Sequence, residues 1–151
     1  MLRLAGGRSE ERQMVEKKMA IYERALRHHP GSDTLLLALL HETGRVEDAD
    51  TTIRAWRRTL GRHGGSVRLW RAYLSYRRGH FSTFSVASMR RICAEALQAL
   101  GVERARRAAA GAPEEVVAEV AEGQLAVLMD LCELESGSGH TELMVARLQV
   151  S

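Results

Sequence analysis

The side chains in this sequence with the potential for chemistry are six histidines (His28, His29, His41, His63, His80 and His140), two cysteines and a dense set of arginines. The histidines and cysteines miss metal-ligand spacing: there is no His-Glu-x-x-His and no Cys-x-x-Cys. Most of the histidines sit at turn signals, and His28 and His29 suit a helix C-terminus, where the backbone dipole favours positive charge. Cys93 and Cys132 fall on apolar stripes and read as buried structural thiols. Two cysteines do not make a disulfide framework, which fits a reducing compartment such as cytosol or nucleus. Gly61, Gly64 and Gly65 are not followed by Lys and Ser or Thr, and no strand precedes them, so a phosphate loop is unsupported. With no catalytic constellation, no cofactor motif and no metal site, the chain reads as a non-enzyme.

The arginines carry the stronger signal. Net charge is +3, yet residues 1–108 hold 21 Lys or Arg against 11 Asp or Glu, while residues 109–151 hold Arg147 against eight acids. Thirteen arginines lie between Arg54 and Arg107, where Glu95 and Glu103 are the acids. That density suits an anionic partner, either an acidic protein or RNA phosphate. It equally suits a solvated helix surface. Arg54, Arg57, Arg58, Arg71, Arg77 and Arg78 are the contacts expected on exposed helix faces. Tyr22, Trp56, Trp70, Tyr73 and Tyr76 have faces on which bases could stack, but at helical spacing among leucines they read as core. Phe81 and Phe84 flank a polar turn and are expected to pin it against the next helix.

Helices must position these groups. Ala, Leu, Arg and Glu are plentiful, prolines number two, and hydrophobic residues make up 45% of the chain, a balance that favours helix in a protein with a real core. No apolar run approaches the roughly 18 residues of a membrane span, and the first residues lack the apolar centre of a secretory signal. The predicted fold is all-α, with about seven helices. Residues 1–8 are expected to be disordered or frayed, and residues 9–151 to form one helical-repeat domain. Ser9 caps the first helix, whose stripe is Met14, Lys18, Ile21, Tyr22, Ala25 and Leu26. Ser32 or Asp33 starts a second, with residues 35–40 buried on most sides, and Thr43-Gly44 ends it. The third runs over residues 46–60, the fourth begins at the Ser66 cap and closes at Gly79, and the fifth opens at Ser82 or Ser85. Its stripe is Val86, Met89, Cys93, Ala96, Leu97 and Leu100. Residues 101–113 read as an inserted loop or an extension, because residues 104–110 lack a core face. Pro113 leads the sixth helix, with Val117, Val120, Ala121, Leu125, Leu128, Leu131 and Cys132 as its stripe. A seventh helix is expected over residues 140–150.

These helices repeat. Residues 22–26, ending at Leu26, match residues 56–60, ending at Leu60, at a spacing of 34; the counterpart ending at Leu97 follows at 37. Leu36 and Leu39 precede Trp70 and Tyr73 by the same 34 residues. A period near 34 with two helices per unit marks a tetratricopeptide-like α-solenoid, in which each pair buries its apolar face on its neighbours. Tyr22, Leu26, Trp56, Leu60, Trp70, Tyr73 and Leu97 are the expected repeat core.

Trp70, Tyr73 and Tyr76, at three-residue steps, look like the first helix of a half-a-tetratricopeptide (HAT) repeat, and residues 20–26 with Pro30 look like the second. The string LWRAYLSYRRGHFSTFSVASMRRI, residues 69–92, resembles more closely the NRDE-2 (nuclear RNAi-defective-2) family, with its leucine-tryptophan helix and Phe-Ser-Thr-Phe turn. The resemblance covers residues 12–100 well and 114–150 more weakly; the arginine-rich stretch at 104–107 departs from the pattern. It implies a nuclear protein of RNA silencing and RNA surveillance that restrains the exosome-associated RNA helicase. In that family the helicase-binding segment lies N-terminal to the repeats, and a counterpart of it is not expected among these residues.

The leading expectation is a non-enzymatic, nuclear scaffold that binds RNA-processing proteins, with no cofactor and no membrane. The alternatives are a direct RNA-binding module using the Arg54–Arg107 surface, another HAT-repeat pre-mRNA-processing adaptor, or a tetratricopeptide-type adaptor outside RNA biology. Apolar residues at the last turn, Leu143, Met144 and Leu148, predict self-association through solenoid ends or a longer parent chain.

Overall fold

A computed structural model describes residues 2–80 and 85–136, and among these every regular element is an α-helix. The chain divides into two units, at residues 1–63 and 64–151. The first holds α1 (Leu2–His28), α2 (Asp33–Val46) and α3 (Ala49–Arg62). The second holds α4 (Val67–Arg78), α5 (Val86–Ala109) and α6 (Glu114–Glu135). No described helix is long and apolar enough to cross a membrane. The expected seventh helix at residues 140–150, with Leu143, Met144 and Leu148, lies outside the described residues, as do Phe81 and Phe84.

Local chemistry sets most of the helix starts. The Ser32 hydroxyl accepts from the Leu35 amide at 3.3 Å, the Asp48 carboxylate from Thr51 at 2.8 Å, and the Ser66 hydroxyl from Leu69 at 3.2 Å. Ser85, not Ser82, caps α5 by accepting from the Ser88 amide at 3.0 Å. Each of these side chains satisfies an amide that the helix leaves without an internal partner. Hydrogen bonding by the Thr51 side chain, and then by its amide, holds the Asp48 carboxyl below its ordinary range. Three boundaries differ here from the sequence reading. Helix α1 begins at Leu2, so residues 2–8 are helical and Ser9 is interior rather than a cap. Helix α2 runs through Thr43 and Gly44 to Val46, and α3 starts only after Asp48.

In the first unit α1 packs on α2, and α2 on α3. The inward row of α1 is Val15, Met19, Tyr22 and Leu26, of which Val15 is buried and the rest are half-buried. Met14 and Ile21, expected inside, are 61% and 65% exposed. The N-terminal half of the stripe is therefore shifted by one residue, from Met14 and Lys18 to Val15 and Met19, while Tyr22, Ala25 and Leu26 face inward as expected. Leu40, Trp56 and Leu60 are buried, while Leu35 to Leu39 are half-buried rather than enclosed. Arg45 donates to Glu42 and to Glu11, both at 3.1 Å, tying α2 to α1.

The second unit has the denser core. Leu69, Trp70, Tyr73 and Leu74 of α4 are buried, with Met89, Ile92, Cys93, Ala96 and Leu100 of α5 and Val120, Val127 and Leu134 of α6. Trp70 satisfies its indole N–H by donating to the Gly64 carbonyl at 2.8 Å, as a buried indole must. Gln124 donates to the Leu97 carbonyl at 3.1 Å between α6 and α5. Leu97 itself is half-buried.

Residues 101–109 continue α5 as helix, which removes the loop alternative for that stretch. The stretch is held without a core face of its own by Glu103, to which Arg106 donates twice, at 2.6 and 2.9 Å, and Arg107 once, at 2.9 Å. Its end is a Schellman motif: Ala112 N–H reaches the Arg107 carbonyl and Gly111 N–H the Ala108 carbonyl. Gly111 stands there at φ 75°, a conformation that a side chain would strain.

Candidate partner-binding surfaces

The arginines named from the sequence divide into three groups. Arg54, Arg57 and Arg58 project from α3 and are exposed, with Arg54 donating to the Thr51 hydroxyl at 3.4 Å. Arg71 and Arg78 are exposed on α4, and Arg71 lies 3.5 Å from the Asp130 carboxylate of α6. Arg77 does not belong on the outside. It is 8% exposed, and its Nη1 donates to the Tyr73 hydroxyl at 3.1 Å. The four-residue step from Tyr73 puts both on one helix face, and that face is the core.

Further along, carboxylates hold much of the positive charge. Arg90 pairs with Glu135. Arg106 and Arg107 share Glu103, and Arg107 also donates to the Val116 carbonyl at 3.1 Å and lies 3.6 Å from Glu119. The hydrogen bonds from Arg106, with those from Arg107, bring the Glu103 carboxyl down to about 2. The acidic α6 thus neutralises part of the basic α5 within one unit. Glu103 is local to the basic block, whereas Arg90 and Glu135 lie 45 residues apart and read from the sequence as members of two blocks of opposite sign.

The two cysteines part company. Cys93 is buried, and desolvation, with the charges of Asp130 and Glu135, pushes its thiol up to about 11. Cys132 is exposed, against expectation, because α6 presents Val120, Gly123, Val127 and Leu134 inward. The same rotation leaves Leu125, Leu128 and Met129 at 58%, 43% and 62% exposure, an apolar strip at helical spacing on the outer side of α6.

A groove of about 760 Å³ lies within the first unit, bordered by α1, α2 and α3. Leu26, Leu36 and Leu39 form its floor, and Arg27, Arg58 and Arg62 stand at its sides with Glu23 and Glu47. The sequence reading missed it. Leu36 and Leu39 were expected to be buried on most sides, and the signal available was that their counterparts one period on are the bulkier Trp70 and Tyr73. A smaller pocket of about 360 Å³ in the second unit takes Arg71, Arg78 and Asp130 into its wall.

A family model described as "NRDE-2, necessary for RNA interference" matches residues 5–151. The chain is 27% identical over 136 residues to the protein named nuclear exosome regulator NRDE2 of Mus musculus, and 26% identical over 136 residues to the protein of that name of Homo sapiens. Each alignment covers 90% of this chain and 11% of the relative, so the chain spans a small part of the curated relatives it matches. No solved structure matches it.

Proposed function

The chain belongs to the NRDE-2 family, and from that premise we propose that it is a non-enzymatic helical-repeat scaffold that binds RNA-processing proteins in the nucleus. The setting is nuclear RNA silencing and surveillance, with regulation of the exosome machinery as its outcome. Membership and the relatives' printed names support the setting. The observation that favours protein contacts over RNA is the pairing of Arg71, Arg90, Arg106 and Arg107 with Asp130, Glu135 and Glu103. Each such pair lowers the charge available for phosphate. A strip of exposed apolar side chains on α6 and an open apolar groove in the first unit are the kind of surface that partner proteins cover.

The second reading is direct RNA binding, which Arg54, Arg57 and Arg58 on the exposed side of α3 favour. The two separate in solution. Tagged chain incubated in nuclear extract over a series of salt concentrations is expected to recover RNA-processing proteins; recovery of none at any salt overturns the scaffold. In parallel, filter binding with single-stranded and structured RNA at physiological salt is expected to give no saturable complex. A saturable complex that weakens steeply with salt moves the assignment to RNA.

A further inference from the structure

We propose that the groove between α1, α2 and α3 is the docking site for an acidic amphipathic helix of a separate partner protein. The inference rests on the scaffold reading and names the chemistry of one of its partners.

Three features of the groove select such an occupant. Its floor is apolar and open among the described residues of its unit: Leu26, Leu36 and Leu39 are half-buried, whereas Trp70 and Tyr73, at the repeat positions of Leu36 and Leu39, are buried in their own unit. Its α3 wall is low. Thr51, Ala55 and Thr59 follow each other at four-residue steps, and small side chains in a row let another backbone come close. Thr59 donates its hydroxyl to the Ala55 carbonyl at 2.9 Å, and Thr43, on the α2 side, donates to Leu39 at 2.8 Å. Both donor protons are committed to their own helices, so these side chains offer the groove mainly methyl surface.

The third feature is charge. Arg27 and Arg62 come from the last turns of α1 and α3, and Arg58 lies one turn before Arg62. Because α2 folds back between them, the last turns of α1 and α3 lie at the same end of the groove. Glu47 comes from the opposite end, where α2 stops and α3 begins. Glu23, one turn before Arg27, offsets part of this charge, and the three arginines leave that end net positive over a leucine floor, with a side low enough for a helix to lie down. A helix with apolar anchors at three- and four-residue steps and carboxylates toward one end complements it. RNA suits it less, since a phosphate chain gains nothing from a leucine floor and threonines without free donor protons.

The test is fluorescence anisotropy with the 151-residue chain and three labelled probes. These are a short helical peptide with leucines at every third and fourth position and glutamates between, the same peptide with lysines for glutamates, and a uridine-rich RNA. The glutamate peptide is expected to bind saturably. Arg58→Glu combined with Arg62→Glu should weaken it about tenfold or more, a loss of about 1.4 kcal/mol. Arg104→Glu, exposed on α5, should leave it unchanged. Ala55→Trp, which fills the low wall without changing charge, should weaken it as well, with circular dichroism verifying that each variant keeps its helices. Equal binding of the lysine peptide, tighter binding of the RNA at the same residues, or insensitivity to both the paired charge reversal and Ala55→Trp overturns the proposal. Nuclear-extract recovery with the Arg58→Glu, Arg62→Glu variant separates the two levels. Undiminished recovery of the same proteins overturns the groove alone, whereas failure of the parent chain to recover any overturns the scaffold beneath it.

Discussion

The guanidinium of Arg77 lies over the ring of Tyr73, its central carbon 5.9 Å from the ring centroid, and its Nη1 donates to the Tyr73 hydroxyl at 3.1 Å. Both residues are buried, Tyr73 at 1% exposure and Arg77 at 8%. A cation taken out of water holds its place only through such contacts. Replacing Arg77 by Ala is therefore expected to destabilise the chain by about 1–3 kcal/mol in urea unfolding, through lost packing and an abandoned hydroxyl. The next arginine, Arg78, is exposed, and its replacement by Ala should stay within about 0.5 kcal/mol.

Gly123 of α6 packs against Val67 of α4. A Cβ on it would stand 2.4 Å from Cγ2 of Val67 and 3.0 Å from its Cβ. Alanine in a helix interior ordinarily stabilises by up to about 1 kcal/mol relative to glycine. At Gly123 the clash with a stiff β-branched side chain reverses that sign, and Gly123→Ala is expected to cost about 1–3 kcal/mol. Gly61 on α3 has nothing within 4 Å of such a Cβ. Gly61→Ala should follow propensity and stabilise by a few tenths up to about 1 kcal/mol. Thermal melts of the two variants beside the parent should move in opposite directions.

Glu103 links acidity to the end of α5. The hydrogen bonds from Arg106 and then Arg107 lower its carboxyl from the ordinary 4.5 to about 2. A carboxyl lowered on folding stabilises the folded form above its unfolded value, and that stabilisation fades as pH falls toward its folded value. Melting temperature should thus fall between about pH 4.5 and pH 2. The decline in that window should be shallower in Glu103→Gln, which also starts lower at neutral pH because it has already lost the charge pair.

The thiols should react in two classes. Cys132 is exposed, and Cys93 is buried with its thiol raised to about 11. An aromatic disulfide reagent at mildly alkaline pH is expected to modify Cys132 promptly and Cys93 only after denaturant is added. Cys132→Ser should abolish the fast phase and leave the slow one. Prompt loss of both thiols in the parent chain would contradict the packing of α5 against α6.

The starts of α2, α4 and α5 were legible because a cap is a local event: Ser32, Ser66 and Ser85 each bond an amide three residues on, whereas Ser9 proved interior to α1 and the Asp48 cap of α3 was not read. The end of α5 was not legible. Residues 104–110 lack an apolar face, so periodicity leaves a loop and a frayed helical extension both open there. What sustains the helix is Glu103 shared between two arginines, contact with α6 through Arg107, and a left-handed glycine at 111. The faces of α1 and α6 were misplaced for a related reason. Both helices carry apolar residues on more than one side, and spacing alone cannot choose between Val15 and Met14, or between Val127 and Leu128.

From the sequence alone came the all-α character, the period near 34, the aromatic helix around Trp70 and Tyr73, and the family resemblance. These rest on propensity, spacing and motif, which the chain carries residue by residue. Tertiary structure decided which arginines stay on the surface, which thiol is reachable, and that Leu36 and Leu39 line an open groove. Burial and ion pairing belong to two elements at once. Arg77 is a core residue because Tyr73 lies beneath it in a packed interior, and Arg107 is tied because α6 arrives beside it. No single helix read by itself contains that information.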